Sequence, residues 1–97
     1  MGEIEQELID LGFSVKSIGI IYWVDAFEYI KKNQNTINIM EIYEAISKKR
    51  DNKIANVERA MRHSISYAKA NIKEKFNYHK NIDNMTFIYL MRLKNKI

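Results

Sequence analysis

The chain has 97 residues, 46% of them hydrophobic and 11% aromatic, which suits one globular domain with a modest core and excludes a disordered chain. It has no cysteine, so disulfides, cysteine-ligated zinc and thiol nucleophiles are excluded, and a cytoplasmic setting is expected. The net charge of +4 hides an asymmetry: residues 1–44 hold eight acids and three bases, residues 45–97 four acids and thirteen bases, so the second half has the footprint of a polyanion binder.

No basic segment followed by an apolar run opens the chain, so no signal peptide is expected. The uncharged stretch Ser17 to Val24 is far too short to span a bilayer, which takes roughly 20 residues. With no proline and only Gly2, Gly12 and Gly19 as glycines, the expected class is all-α, a single compact domain of five to six helices.

The first helix is expected from Glu3 to Leu11, with Ile4, Leu8 and Leu11 on one stripe and Gly12 closing it. The second runs from about Ser17 to Lys32. Ile18, Ile21, Tyr22, Asp25, Ala26, Tyr29 and Ile30 trace a mostly apolar face, and Trp23 and Phe27 widen it, so this reads as the central core helix. A polar connector, Lys31 to Asn38, leads to a third helix over about 39–49 with Ile39, Ile42, Tyr43 and Ile46 inward. "KKRDNK", Lys48 to Lys53, is a charged turn, with Asn52 as the expected cap of the next helix.

That fourth helix, over about 54–72, is the most regular. Ile54, Val57, Met61, Ile65, Ala68 and Ile72 recur at steps of three and four. Lys73 to Asp83 has no defined pattern. The last helix is expected from an Asn84 cap to about Asn95, with Phe87, Ile88 and Met91 inward and Arg92, Lys94 and Lys96 near its negative end. A short third helix, a tight turn and a longer basic fourth helix form the outline of a helix-turn-helix, although the turn has no glycine.

Arg59, Arg62, His63 and Ser66 follow the i, i+3, i+4, i+7 rule and share one face of the fourth helix, flanked by Asn56 and Glu58. A helix fits the major groove, arginine forks match guanine O6 and N7, and glutamate accepts from cytosine N4 or steadies an arginine. The same residues also make an ordinary solvated face, since Glu58 and Arg62 form an i, i+4 pair. Other chemistry is thin. His63 and His79 lie sixteen residues apart without a ligand pattern, no glycine-rich phosphate loop exists, and no residue constellation points to an enzyme, a metal site or a cofactor.

The segment "VERAMRHSI", Val57 to Ile65, resembles the recognition helix of the C-terminal DNA-binding effector domain of the stage-zero sporulation response regulator. That family carries Val-Glu-Arg-Ala-Ile-Arg-His-Ala-Ile there, so only Met61 and Ser64 differ. Leu11 and Gly12, the Gly12 to Gly19 spacing, "YWVDAF" (Tyr22 to Phe27), "ISKK" (Ile46 to Lys49), Asn71, Ile72, Phe76, Tyr78, Asn84, Phe87 and Ile88 extend the likeness over nearly the whole chain. The resemblance implies a helix-turn-helix regulator of transcription, binding double-stranded DNA at a box with a TGTCGAA-like core, often as a dimer on tandem copies. It implies that Glu58, Arg59, Arg62 and His63 contact bases, and phosphate contacts are expected from Lys48, Lys49, Arg50, Lys53 and Asn56.

Three departures stand out. The family's full-length proteins carry a receiver domain, for which this chain has no room, so a fragment or a stand-alone effector is expected. Asn56 stands where the family has arginine, and Arg50 where it has an apolar residue. Lys73 to Asp83 is shorter than the family's segment, which is implicated in touching the RNA polymerase sigma factor. The alternative is a protein-interaction module that pairs with a full-length homologue or a polymerase subunit.

Overall fold

The computed structural model describes residues 2–33 and 37–94. Five helices follow in order: α1 (Glu3–Asp10), α2 (Ile18–Lys32), α3 (Ile39–Arg50), α4 (Ile54–Phe76) and α5 (Asn84–Leu93). The all-α expectation holds. The middle of the Lys31 to Asn38 connector, and Asn95 and Lys96 at the expected end of the last helix, lie outside the described residues.

Helix ends follow the sequence chemistry. Gly12, at φ 97°, takes the left-handed position after α1; its N–H donates to Ile9 O and that of Phe13 to Leu8 O, closing the helix while Leu8 and Phe13 meet in the core. Ser17 caps α2 through Gly19 N, and Asn38 caps α3 through Met40 N and Glu41 N. Two expected caps are corrected. Asp83, not Asn84, caps α5 by accepting from Thr86 N, while Asn84 is buried inside the first turn. Lys53 occupies the cap position of α4 without a side-chain bond, and Asn52 is used elsewhere. The fourth helix also outruns its expected end at Ile72: Phe76 continues the buried stripe by one turn, and Asn77, left-handed at φ 50°, stops it.

α2 is the central helix and packs most extensively on α4. Most of its expected inward face is buried as read, namely Tyr22, Trp23, Asp25, Ala26, Phe27 and Ile30, but its first turn is rotated from the one expected. Ile18 and Ile21 are exposed, while Gly19 and Ile20 point inward, and Tyr29 is half-buried. The largest rings set that rotation: Phe87 of α5 meets Trp23 edge-on at 5.0 Å and Phe27 at 5.9 Å, and Phe13 stacks on Phe87 at 5.4 Å. Of the expected inward stripe of α4, Val57, Met61, Ile65, Ala68 and Ile72 are buried as read and Ile54 is half-buried, while that of α5 (Phe87, Ile88, Met91) is buried as read.

α2 and α4 approach closely at Gly19. A Cβ built there lies 1.6 Å from Ser64 Oγ and 2.7 Å from the carbonyl oxygen of Ala60. Gly19→Ala is therefore expected to lower stability by about 1–3 kcal/mol through overpacking. Adding Ser64→Ala should not restore it, because the Ala60 backbone remains in the way. Denaturant unfolding of the single and double variants checks this, and an unchanged midpoint for Gly19→Ala refutes the close crossing.

Candidate nucleic-acid interface

α3, a three-residue turn and α4 make the helix-turn-helix. The missing glycine is explained by Asp51, which adopts the left-handed conformation (φ 52°, ψ 53°) that aspartate tolerates better than most residues. The Asn52 N–H donates to Ser47 O at 3.1 Å, and the Ser47 hydroxyl donates to the Asn52 carbonyl. The Asn52 side chain then joins three elements. Its Nδ2 donates to the Tyr22 hydroxyl of α2 at 2.8 Å, and its Oδ1 accepts from Lys53 N and Asn56 Nδ2. The turn that aims α4 is thus bolted to the core helix.

At the other side of α4, Asn84 Nδ2 donates to the Tyr43 hydroxyl at 2.9 Å and to the Glu58 carbonyl at 3.4 Å. This ties α5 to α3 and to the first turns of α4. Burial pushes the Tyr43 hydroxyl pKa up, and the Asn84 bond only partly opposes this. Trp23 Nε1 donates to Met61 O at 3.1 Å, a third link from the core to the same helix.

On this mount, Arg59, Arg62, His63 and Ser66 are exposed, Glu58 is half-buried, and Val57, Met61 and Ile65 are buried on the opposite side. Arg62 Nε and Nη2 donate to the two Glu58 carboxylate oxygens at 2.9 and 3.4 Å. The pair is in water, with the Arg62 side chain 62% exposed, so it is worth little as stability and leaves the fork accessible. Arg59 has no ionic partner among the described residues. The His63 ring stands edge-on to Tyr67, and Ser66 Oγ donates back to the His63 carbonyl.

The five expected phosphate contacts divide. Lys48 and Lys53 are exposed, as is Asn56, whose amide also holds Asn52. Lys49 and Arg50 instead turn to Asp25 of α2. Arg50 donates through Nε to Oδ2 at 2.7 Å and through Nη2 to Oδ1 at 2.9 Å, and Lys49 Nζ reaches Oδ1 at 3.2 Å. Arg50, set apart in the sequence as a basic residue at an apolar position, has a structural partner there.

Asp25 is the residue whose importance the sequence reading missed. Its signal was a lone acid within an otherwise apolar face, which calls for a base elsewhere in the chain. Burial alone raises its pKa, but the hydrogen bonds and charges of Arg50 and Lys49 outweigh burial and hold it below the usual 3.8. A depressed folded pKa means that the unfolded chain binds the proton first as pH falls. The stabilisation is therefore complete above about pH 4 and is lost as pH drops through the lower folded pKa. Asp83 shifts the same way, through its bond from Thr86. The stability gap between wild type and Asp25→Asn should consequently shrink below about pH 4. Thermal unfolding of both proteins between pH 7 and pH 2.5 measures this, and a gap that widens on acidification contradicts the ion-pair role.

Among the described residues no helix is long and apolar enough to cross a membrane. Comparison with curated proteins and with solved structures gives no significant match. The family described as "Sporulation initiation factor Spo0A C terminal" matches residues 4–93, from the first helix to the last. The chain therefore belongs to the sporulation initiation factor Spo0A C-terminal family of helical DNA-binding domains.

Proposed function

We propose that this chain is a sequence-specific double-stranded DNA-binding regulator of transcription, with α4 as the recognition helix in the major groove. The carrying observation is the single exposed face of α4 that presents Arg59, Arg62 and His63 opposite the buried Val57, Met61 and Ile65. Arg59 and Arg62 are the guanine readers. Glu58 holds the Arg62 fork in plane and can accept from cytosine N4, and His63 donates to a base or a phosphate. Lys48, Lys53 and Asn56, around the start of α4, contact phosphates and set register. The first turn of α4 supports this, since no side chain caps it and the N–H groups of Ile54 and Ala55 at its positive end favour an anion. Lys49 and Arg50 contribute mainly by fixing α3 on α2 through Asp25. The expected target is the family's TGTCGAA-like box, with tandem copies occupied by a dimer, and the sigma factor of RNA polymerase as the protein partner.

A titration against duplexes carrying the box or its scrambled sequence, at several salt concentrations, tests this. Binding to the box should be tighter, and each phosphate contact should add about −0.9 to the slope of log K against log salt. Equal affinity for both duplexes at moderate salt favours the interaction module instead.

A further inference from the structure

The exposed side of α4 continues beyond Ser66. Tyr67 is 73% exposed, although Ala68 beside it is fully buried. Its ring meets the His63 imidazole one turn earlier, with centroids 5.1 Å apart and planes at 90°. Side chains on a helix lean toward its N-terminus, so a ring at Tyr67 lies over the turn that carries His63. The edge-on contact is a favoured geometry for two aromatic rings and biases the His63 imidazole toward the orientation that makes it.

The position along the helix fits a supporting role. Eight residues separate Arg59 from Tyr67, about 12 Å of rise, so Tyr67 lies more than two turns beyond the N-terminal part of the helix that reaches base edges. There it can brace His63 without competing for a base. An aromatic ring this exposed has no part in the core.

We propose that Tyr67 is a positioning residue for His63, holding the imidazole in the orientation that meets DNA. The inference rests on the assignment of α4 as the recognition helix.

Two measurements test it. In the free protein, NMR of the imidazole protons should show a ring-current shift that Tyr67→Ala abolishes and Tyr67→Phe keeps. On the box duplex, Tyr67→Ala should weaken binding about three- to tenfold, Tyr67→Phe should bind like wild type, and Tyr67→Ala should have no further effect in a His63→Ala background. Equal losses for Tyr67→Phe and Tyr67→Ala, a loss undiminished in the His63→Ala background, or no loss at all overturns the proposal. A wild-type protein that does not prefer the box to its scrambled form defeats the DNA reading itself, and with it the role of Tyr67; a surviving ring-current shift identifies that failure as one of function, not of contact.

Discussion

Trp23→Ala is expected to lower the stability of the domain by about 3–5 kcal/mol, the usual range for deleting a buried large ring. The indole is fully buried, stacked on Phe27 at 5.5 Å and edge-on to Phe87 at 5.0 Å, so its loss opens a cavity where α2, α4 and α5 meet. It also removes the hydrogen bond to Met61 O. Natural domains are stable by about 5–15 kcal/mol in total, so much of the margin goes. Trp23→Phe keeps a ring in the cluster and loses the N–H bond, and should cost clearly less. Urea unfolding followed by circular dichroism measures both. A cost below about 1 kcal/mol for Trp23→Ala contradicts the core as described.

Arg59→Ala and Arg62→Ala should each weaken binding to the box by about 1–3 kcal/mol, because a bidentate pair to guanine is lost. The two differ in their free state. Arg59 has no ionic partner among the described residues, whereas Arg62 starts paired with Glu58. Removing Arg62 also leaves the half-buried Glu58 carboxylate unneutralised beside a polyanion, so Arg62→Ala should fall at the upper end of the range. Lys48→Ala and Lys53→Ala should instead weaken all duplexes alike and flatten the salt slope, since phosphates carry no sequence. A Lys variant that changes the ratio between duplexes contradicts this division.

The parts of the fold that were legible in the sequence are those governed by period and local chemistry. The i, i+3, i+4 stripe of α4 named Val57, Met61, Ile65, Ala68 and Ile72 of its buried residues, missing Ser64 and Phe76, and the polar face opposite followed. What escaped depends on partners distant in the chain. Ile18 and Ile21 look as apolar as Ile20, and only the Trp23–Phe27–Phe87 cluster decides which of them is covered. Asn52 and Asn84 both carry cap chemistry, yet tertiary bonds to Tyr22 and Tyr43 claim them. Lys49 and Arg50 read as surface bases, because nothing nearby in sequence reveals that Asp25 lies beneath them. The candidate face was the most legible element of all, since its residues are neighbours on one helix. The family match spans residues 4–93, far beyond this face.

The central claim, that α4 reads bases, is tested most directly by isotherms of wild type and Arg59→Ala on the box and on its scrambled form at one fixed salt concentration. The account predicts that wild type prefers the box and that Arg59→Ala loses most of its affinity there, while losing much less on the scrambled duplex, so that the preference narrows. An Arg59→Ala protein that loses affinity equally on both duplexes would contradict it, leaving α4 as a charged surface and not a reader.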